Sequence, residues 1–315
     1  MACAGMFIPI FILLNVCFFI FWCITSIKMS LLPVVFFLIG WGPLMSYFPI
    51  NFSSVEHNGD KLKILTYNVM QMRGINDDDK GNVLEYIKNS KADIVCLQEY
   101  PYKNTKIQKQ LQRHYPYIRT CSFNSVNAVA CLSKYPIISI REIKLGSAFN
   151  GSAVFKIKYK GRSIPVIVNH LESNKLTLHD KEVYKELIKS PDEKHVKEGG
   201  KYLLGKLADA MAIRGRQADV ISRYIEDNYS PYMIVCGDFN DTPISYTHNK
   251  ISEKLTDAFI EEGNGPGITY NRNLLFFRID HIMAADGYKV LDCKVDNSID
   301  ASDHYPIYSV LGINN

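Results

Sequence analysis

The first 27 residues carry no charged side chain, and Lys28 is the only charge before Glu56. A cleavable signal peptide opens on a basic segment, so the uncharged stretch Met1 to Gly5 argues against one. Also missing is any Cys-x-x-Cys pair or Cys/His spacing suited to a metal centre. Three of the eight cysteines (Cys3, Cys17 and Cys23) lie in or beside the apolar start, and the other five are odd in number. Cys96 and Cys236 stand inside apolar runs, where a thiol acts as a small hydrophobe. There is no internal repeat and no low-complexity tract. A strong basic excess is absent as well. The net charge of +4 is the same with or without Lys28 and Glu56, and it is too mild for a dedicated duplex binder that must neutralise many phosphates.

What is present begins with two uncharged runs, Met6 to Ile27 and Leu31 to Ile50, separated by Lys28-Met29-Ser30. Each has the roughly 20 residues that a helix needs to cross a hydrocarbon core about 30 Å thick. The expectation is a transmembrane helical hairpin over residues 1–50, with helices at about 6–27 and 31–50. Positive loops stay in the cytoplasm, so Lys28 places the rest of the chain on the non-cytoplasmic, periplasmic side. Residues 51–60, which include Asn58-Gly59, read as a linker.

From Lys61 onward, β-rich and helical patterns alternate. Leu62 to Tyr67 and Ile94 to Leu97 read as strands, and Val83, Leu84 and Ile87 mark one helix face between them. Further β-rich runs lie at 117–122, 128–133, 137–143, 153–159, 164–169, 232–236, 279–284, 288–295 and 305–311. Residues 176–189 and 201–227 read as helices. Many strands with a few covering helices indicate one α+β domain of packed sheets over 61–315.

Polar residues recur where the apolar runs end. Asn68 follows Ile64 to Tyr67, and Glu99 follows Ile94 to Gln98. Asn169 and His170 follow Val166 to Val168, and Asp238 and Asn240 follow Ile234 to Cys236. Asp280 and His281 interrupt an apolar run, and Ser302-Asp303-His304 precedes the last strand. Each has a bland explanation: Asn68 as a cap, Asp238-Phe239-Asn240 as an Asx-turn, His170 as a bonded structural histidine. Sites of this kind, in order and where apolar runs end or break, are not independent accidents, and strand ends hold side chains rigidly.

Tyr67-Asn68-Val69, Leu97-Gln98-Glu99, Asn169-His170-Leu171-Glu172-Ser173, Gly237-Asp238-Phe239-Asn240, Arg278-Ile279-Asp280-His281 and Ser302-Asp303-His304 resemble the ordered motifs of the endonuclease/exonuclease/phosphatase superfamily, the DNase-I-like fold. The resemblance runs from about Lys61 to the end. It implies a four-layer α/β/β/α sandwich of two mixed sheets, Mg²⁺ (or Mn²⁺) as cofactor, and phosphoester hydrolysis by in-line attack of water. It places Asn68, Glu99 and Asp303 at the metal, Asp238 as proton acceptor, and Asn240 as orienter of water or a phosphate oxygen. His304, oriented by Asp280, and His170 flank the phosphorus. Asn169, Arg214 and Arg278 are candidate substrate contacts. Two departures stand out: Met70 replaces an acidic residue found in many nucleases of the superfamily, and His281 replaces an aromatic one. Residues 173–215 start at the rim of the site, as a solvated helix face or as a wall that sets substrate choice. The substrate expected is nucleic acid, a nucleotide or a phospholipid head group. The competing reading is a non-catalytic binding or scaffold module that retains the fold; Glu99, Asp238 and His304 are all present against it.

Overall fold

The computed structural model describes residues 8–52, 56–74, 79–174, 177, 180, 182–184, 193–272 and 275–314. Two six-stranded sheets face each other. The first runs in the order β13 (Tyr288–Val295), β14 (Ile307–Ile313), β1 (Lys61–Asn68), β2 (Ile94–Gln98), β4 (Ala128–Ser133), β3 (Tyr117–Ser122). The second runs β5 (Ile137–Ile143), β6 (Gly151–Tyr159), β7 (Arg162–His170), β8 (Ile234–Asp238), β12 (Asp280–Ala284), β9 (Thr256–Asp257). A small ribbon, β10 (Tyr270–Arg272) with β11 (Leu275–Phe277), lies beside them.

The central strands are apolar on both faces because both faces are covered. In β1, Leu62 and Ile64 enter the core between the sheets, while Leu65 and Tyr67 pack against the helix layer. In β8, Ile234 and Cys236 face the other sheet and Val235 faces the second helix layer. The outer layers are α4 (Asp79–Asn89) and α5 (Thr105–Gln112) on one side, and α6 (Glu193–Asp227) with α7 (Tyr246–Ile251) on the other. The expected four-layer sandwich is therefore present. Cys96, Cys131 and Cys236 are free thiols buried between the sheets, where burial pushes the Cys96 thiol up.

Direction of the strands gathers the motifs. β1 runs parallel to β2, and β7 parallel to β8, so Asn68, Glu99, His170 and Asp238 all emerge at C-terminal strand ends. β12 is antiparallel to β8, so its first residue, Asp280, pairs with the last of β8, Asp238. β14 is antiparallel to β1, and the chain entering it brings Ser302 to Asn68, where the serine hydroxyl donates to the Asn68 carbonyl at 2.7 Å.

The apolar start differs from the hairpin expected. α1 spans Ile8–Thr25, but the second run is broken at Gly40 into α2 (Leu31–Ile39) and α3 (Trp41–Tyr47). No helix among the described residues is long and apolar enough to cross a membrane. α1 and α2 fold back on each other, with Asn15 Nδ2 donating to the Pro33 carbonyl at 3.1 Å. Nor is the segment that follows a free linker. Asn51 Nδ2 donates to the carbonyls of Ile260 (3.2 Å) and Gly263 (2.7 Å), and Gly265 N donates to Pro49 O at 2.9 Å. Most of the expected helix over 176–189 lies outside the described residues.

Candidate active site

Backbone geometry at the strand ends is unusual. Glu99 and Asn240 sit in the left-handed region at φ 51° and 53°, which few non-glycine residues occupy, and such strain is found at functional sites. Gly237 has φ +126°, and a Cβ there would lie 2.1 Å from the Asn169 carbonyl oxygen. Only glycine lets β8 approach β7 at that point. Asn240 N donates to Asp238 Oδ1 at 2.8 Å, so an Asx-turn does close the strand. That turn aims the other carboxylate oxygen. Asp238 Oδ2 accepts from Asn68 Nδ2 at 3.1 Å, which joins one sheet to the other.

Two histidines flank Asp238. His304 Nε2 is 3.7 Å and His170 Nε2 3.9 Å from Asp238 Oδ2, and His170 Nε2 is 3.8 Å from Glu99 Oε1. These gaps are too long for hydrogen bonds. On its far edge His304 Nδ1 meets Asp280 Oδ2 at 2.7 Å. Burial opposes charge on His304, yet Asp280 and Asp238 outweigh it and hold the imidazole well above its usual range. His170 goes the other way: burial lowers it, against the pull of Asp238. Burial raises Asp238, with His304 opposing and Asp280 reinforcing. The site thus holds one histidine pushed toward its charged form, one pushed toward its neutral form and a carboxylate with raised proton affinity.

At the open side, burial and then the nearby Asp303 raise Glu99, while His304 and Asn68 oppose. No lysine or arginine among the described residues forms an ion pair with Glu99 or Asp303. Glu99 and Asp303 are hard oxygen donors close to each other, and with the Asn68 side chain beside Glu99 they offer a set that fits a divalent cation such as Mg²⁺. The Asn68 oxygen also accepts from Met70 N at 3.2 Å, so Met70 contributes its backbone where relatives offer a carboxylate.

Two expected substrate contacts, Arg214 and Arg278, are engaged elsewhere. Arg214 is buried, donating to Asp241 Oδ2 (3.2 Å), Glu172 O (2.9 Å) and Asn174 Oδ1 (2.9 Å). Arg278 is also buried. It donates to Pro266 O at 3.0 Å and to Ser46 O, and it stacks over Phe259. Both are internal struts, a role that the pairing of a buried guanidinium requires. Asn169 accepts from Ser152 Oγ at 2.6 Å inside the sheet, and its Nδ2 is buried without a partner. Asn240 reaches the edge of the site, with Nδ2 donating to Leu171 O at 3.1 Å.

The sequence did not point to Thr269 or Tyr270. Thr269 Oγ1 accepts from Ile279 N (3.0 Å) and Asp280 N (3.1 Å), and the Tyr270 ring packs edge-on to His304 at 5.3 Å. Neither lies in a strand-end motif, so no local signal marks them.

A two-sheet sandwich whose strand ends collect Asn, Glu, Asp and two histidines defines the class of phosphoester-cleaving α/β/β/α enzymes. The Endonuclease/Exonuclease/phosphatase family model matches residues 65–304, and the chain belongs to that family. A domain of unknown function matches residues 1–47. No curated protein matches the chain. Among solved structures, the chain is similar to the D. rerio TDP2 complexed with single strand DNA product: 16% identity over 80% of this chain and 99% of that one, TM-score 0.58. It is also similar to an endonuclease/exonuclease/phosphatase from Beutenbergia cavernae (15%, 81% and 72%, TM-score 0.57). A family protein from Bacteroides thetaiotaomicron gives 15% identity over 82% and 100%, TM-score 0.55.

Proposed function

We propose that the chain is a divalent-metal-dependent phosphoesterase that hydrolyses a phosphodiester by in-line attack of water. The observation that carries this reading is Asp238, tied to Asn68 at 3.1 Å and flanked by His304 and His170 at 3.7 and 3.9 Å. Glu99, Asn68 and Asp303 would hold the cation, which when bound offsets the phosphate charge that repels a nucleophile. Asp238 takes the proton of the attacking water, helped by the raised proton affinity that burial gives it. His304, cationic and fixed by Asp280, donates Nε2–H to a phosphate oxygen as its charge grows. His170, neutral, stands across from it at the leaving-group oxygen. A panel of phosphodiesters and monoesters (nucleic acid, nucleotides and phospholipid head groups) with Mg²⁺, Mn²⁺ or EDTA tests the reading. Turnover abolished by EDTA and by Glu99→Gln is expected; full activity in EDTA sinks the metal assignment, and a silent panel sinks the reaction.

We propose further that the N-terminal helices attach the enzyme to a membrane. Ile10, Phe11, Leu13, Leu14 and Phe18 of α1 and Leu38 of α2 are large, apolar and exposed. Each costs free energy in water, at about 25 cal/mol per Å² of apolar surface, that lipid contact relieves. Were the two apolar runs to cross as a pair, Lys28 in the turn between α1 and α2 would put the catalytic domain on the non-cytoplasmic face. Sedimentation with membranes after carbonate washing tests attachment, and a cytoplasm-only reporter fused after Asn315 tests sidedness; a bright signal reverses the orientation.

A further inference from the structure

Side chains alternate across a strand, so His281 points away from the site that Asp280 faces, toward the helix layer with Met283. It meets oxygen on both edges. Nδ1 lies 3.2 Å from Asp257 Oδ2, and Nε2 lies 3.0 Å from the backbone carbonyl of Asp241. A carbonyl and an ionised carboxylate can only accept, so both ring nitrogens donate. Asp257 Oδ2 also accepts from His248 Nε2 at 2.8 Å. Its Oδ1 accepts from Phe259 N and Ile260 N at 2.8 and 2.9 Å, capping the short helix α8 (Ala258–Glu262). Asp241 is anchored in turn by Arg214 and by Thr247 Oγ1 at 2.9 Å. His281, Asp257, Asp241 and Arg214 are all buried, and their charges close in two pairs: His281 with Asp257, Arg214 with Asp241.

The network ends on the catalytic strands. Residues 239–242 leave β8 directly after Asp238, and Phe239 N donates to Ile279 O at 2.9 Å. His281 pairs in register with Gly237, and Asp280 with Asp238. One side chain therefore bonds the loop that seats Asp238 while its own backbone carries the neighbour of Asp280. We infer that His281 is a positioning residue, a doubly protonated clamp that ties the 239–242 loop to the Asp257 cap and so fixes the distance between Asp238 and the Asp280–His304 pair. His248 Nε2, Asp257 Oδ2 and His281 Nδ1 also lie close enough to share a metal ion. These three atoms already bond to one another without one, through Asp257 Oδ2, while His248 Nδ1 is buried without a partner.

The kinetic arm of the test rests on the phosphoesterase reading, and the spectroscopic arms do not. In the full chain, His281→Gln keeps one donor and is expected to lower kcat about 10- to 10²-fold with KM within about twofold. The low-field proton resonance of the His304–Asp280 bond should shift or vanish in the same variant. In the wild type, the ¹⁵N ring spectrum should show both His281 nitrogens protonated. Unchanged kcat with an unchanged low-field resonance overturns the clamp. So does a His281 ring with one bare nitrogen, or one zinc per purified chain that Asp257→Ala removes. Should no substrate be turned over, the reaction fails and the two spectra still decide the clamp.

Discussion

Two buried Asp–His pairs sit on successive residues of one strand, and they serve opposite ends. Asp280 holds His304 at 2.7 Å, and the other edge of His304 stops 3.7 Å short of Asp238. Asp257 holds His281 at 3.2 Å, and the other edge of His281 closes on the Asp241 carbonyl at 3.0 Å. Both pairs have the residue types and burial of a reactive centre. The difference is one unmet donor. Where the ring ends in an open gap, a substrate oxygen can complete it; where it ends on backbone, the pair serves the fold. Electrostatics separate them too. Burial raises Asp238 beside the first pair. At the second, burial pushes Asp257 up, but bonds from His248 and His281 overcome it and hold Asp257 well below its usual range.

The largest expected effect sets the two carboxylates against each other. Asp238→Asn should lower kcat by about 10² to 10⁴, the range for loss of a general base, while Tm holds or rises. Its raised folded pKa means that the ionised form is held at a cost above the unfolded value, and the amide removes that cost. Asp257→Asn should do the reverse in stability, losing about 3–5 kcal/mol because a buried charged partner is left alone. The sign follows from the depressed folded pKa. The stabilisation is present above the unfolded value near about 4, and it is lost as pH falls through the lower folded value. The gap in Tm between wild type and Asp257→Asn should thus stay constant at neutral pH and close in acid. A Tm drop for Asp238→Asn matching that of Asp257→Asn would erase the distinction drawn between the two regions.

A smaller effect tests how the strands reach the site. Gly237→Ala should cost at least about 3 kcal/mol by chemical denaturation, since its Cβ would strike the Asn169 carbonyl and the backbone would remain at φ +126°. Wild-type stability would show that β7 and β8 can part freely there.

The sandwich was legible because both-face burial writes continuous apolar runs, and the site because its residues sit where those runs stop. β3 to β7 lie where the β-rich stretches predicted them. Asn68, Glu99, His170, Asp238, Asp280 and His304 meet at one edge, as their order along the chain implied. What escaped was set by long-range pairing. Arg214 and Arg278 have the composition of phosphate binders, and nothing within a few residues shows that Asp241 and the Ser46 carbonyl consume their donors. The amphipathic helix α5 is only 8 residues long and lies between two strand signals, too short for its periodicity to stand out. Gly40 lies inside the apolar run expected to span, and the chain breaks there, with α3 packing on α8.

Arg278 gives the smallest effect, and it probes how the apolar start is joined to the catalytic edge. The guanidinium of Arg278, itself two residues ahead of Asp280, links Ser46 O in α3 to Pro266 O. Arg278→Met keeps the packing on Phe259 but strands two carbonyls, which should cost about 1–3 kcal/mol. Because Thr269 and the Asp238 pairing hold Asp280 independently, kcat should fall by less than about tenfold. The looser join should show instead as faster proteolysis between Tyr47 and Asp60, since Asn51 and Pro49 alone would hold that stretch to the 260–265 loop. If cleavage there is unchanged while kcat collapses, Arg278 acts on the reaction itself, and the division between an open, reactive pair and closed, structural ones fails at this residue.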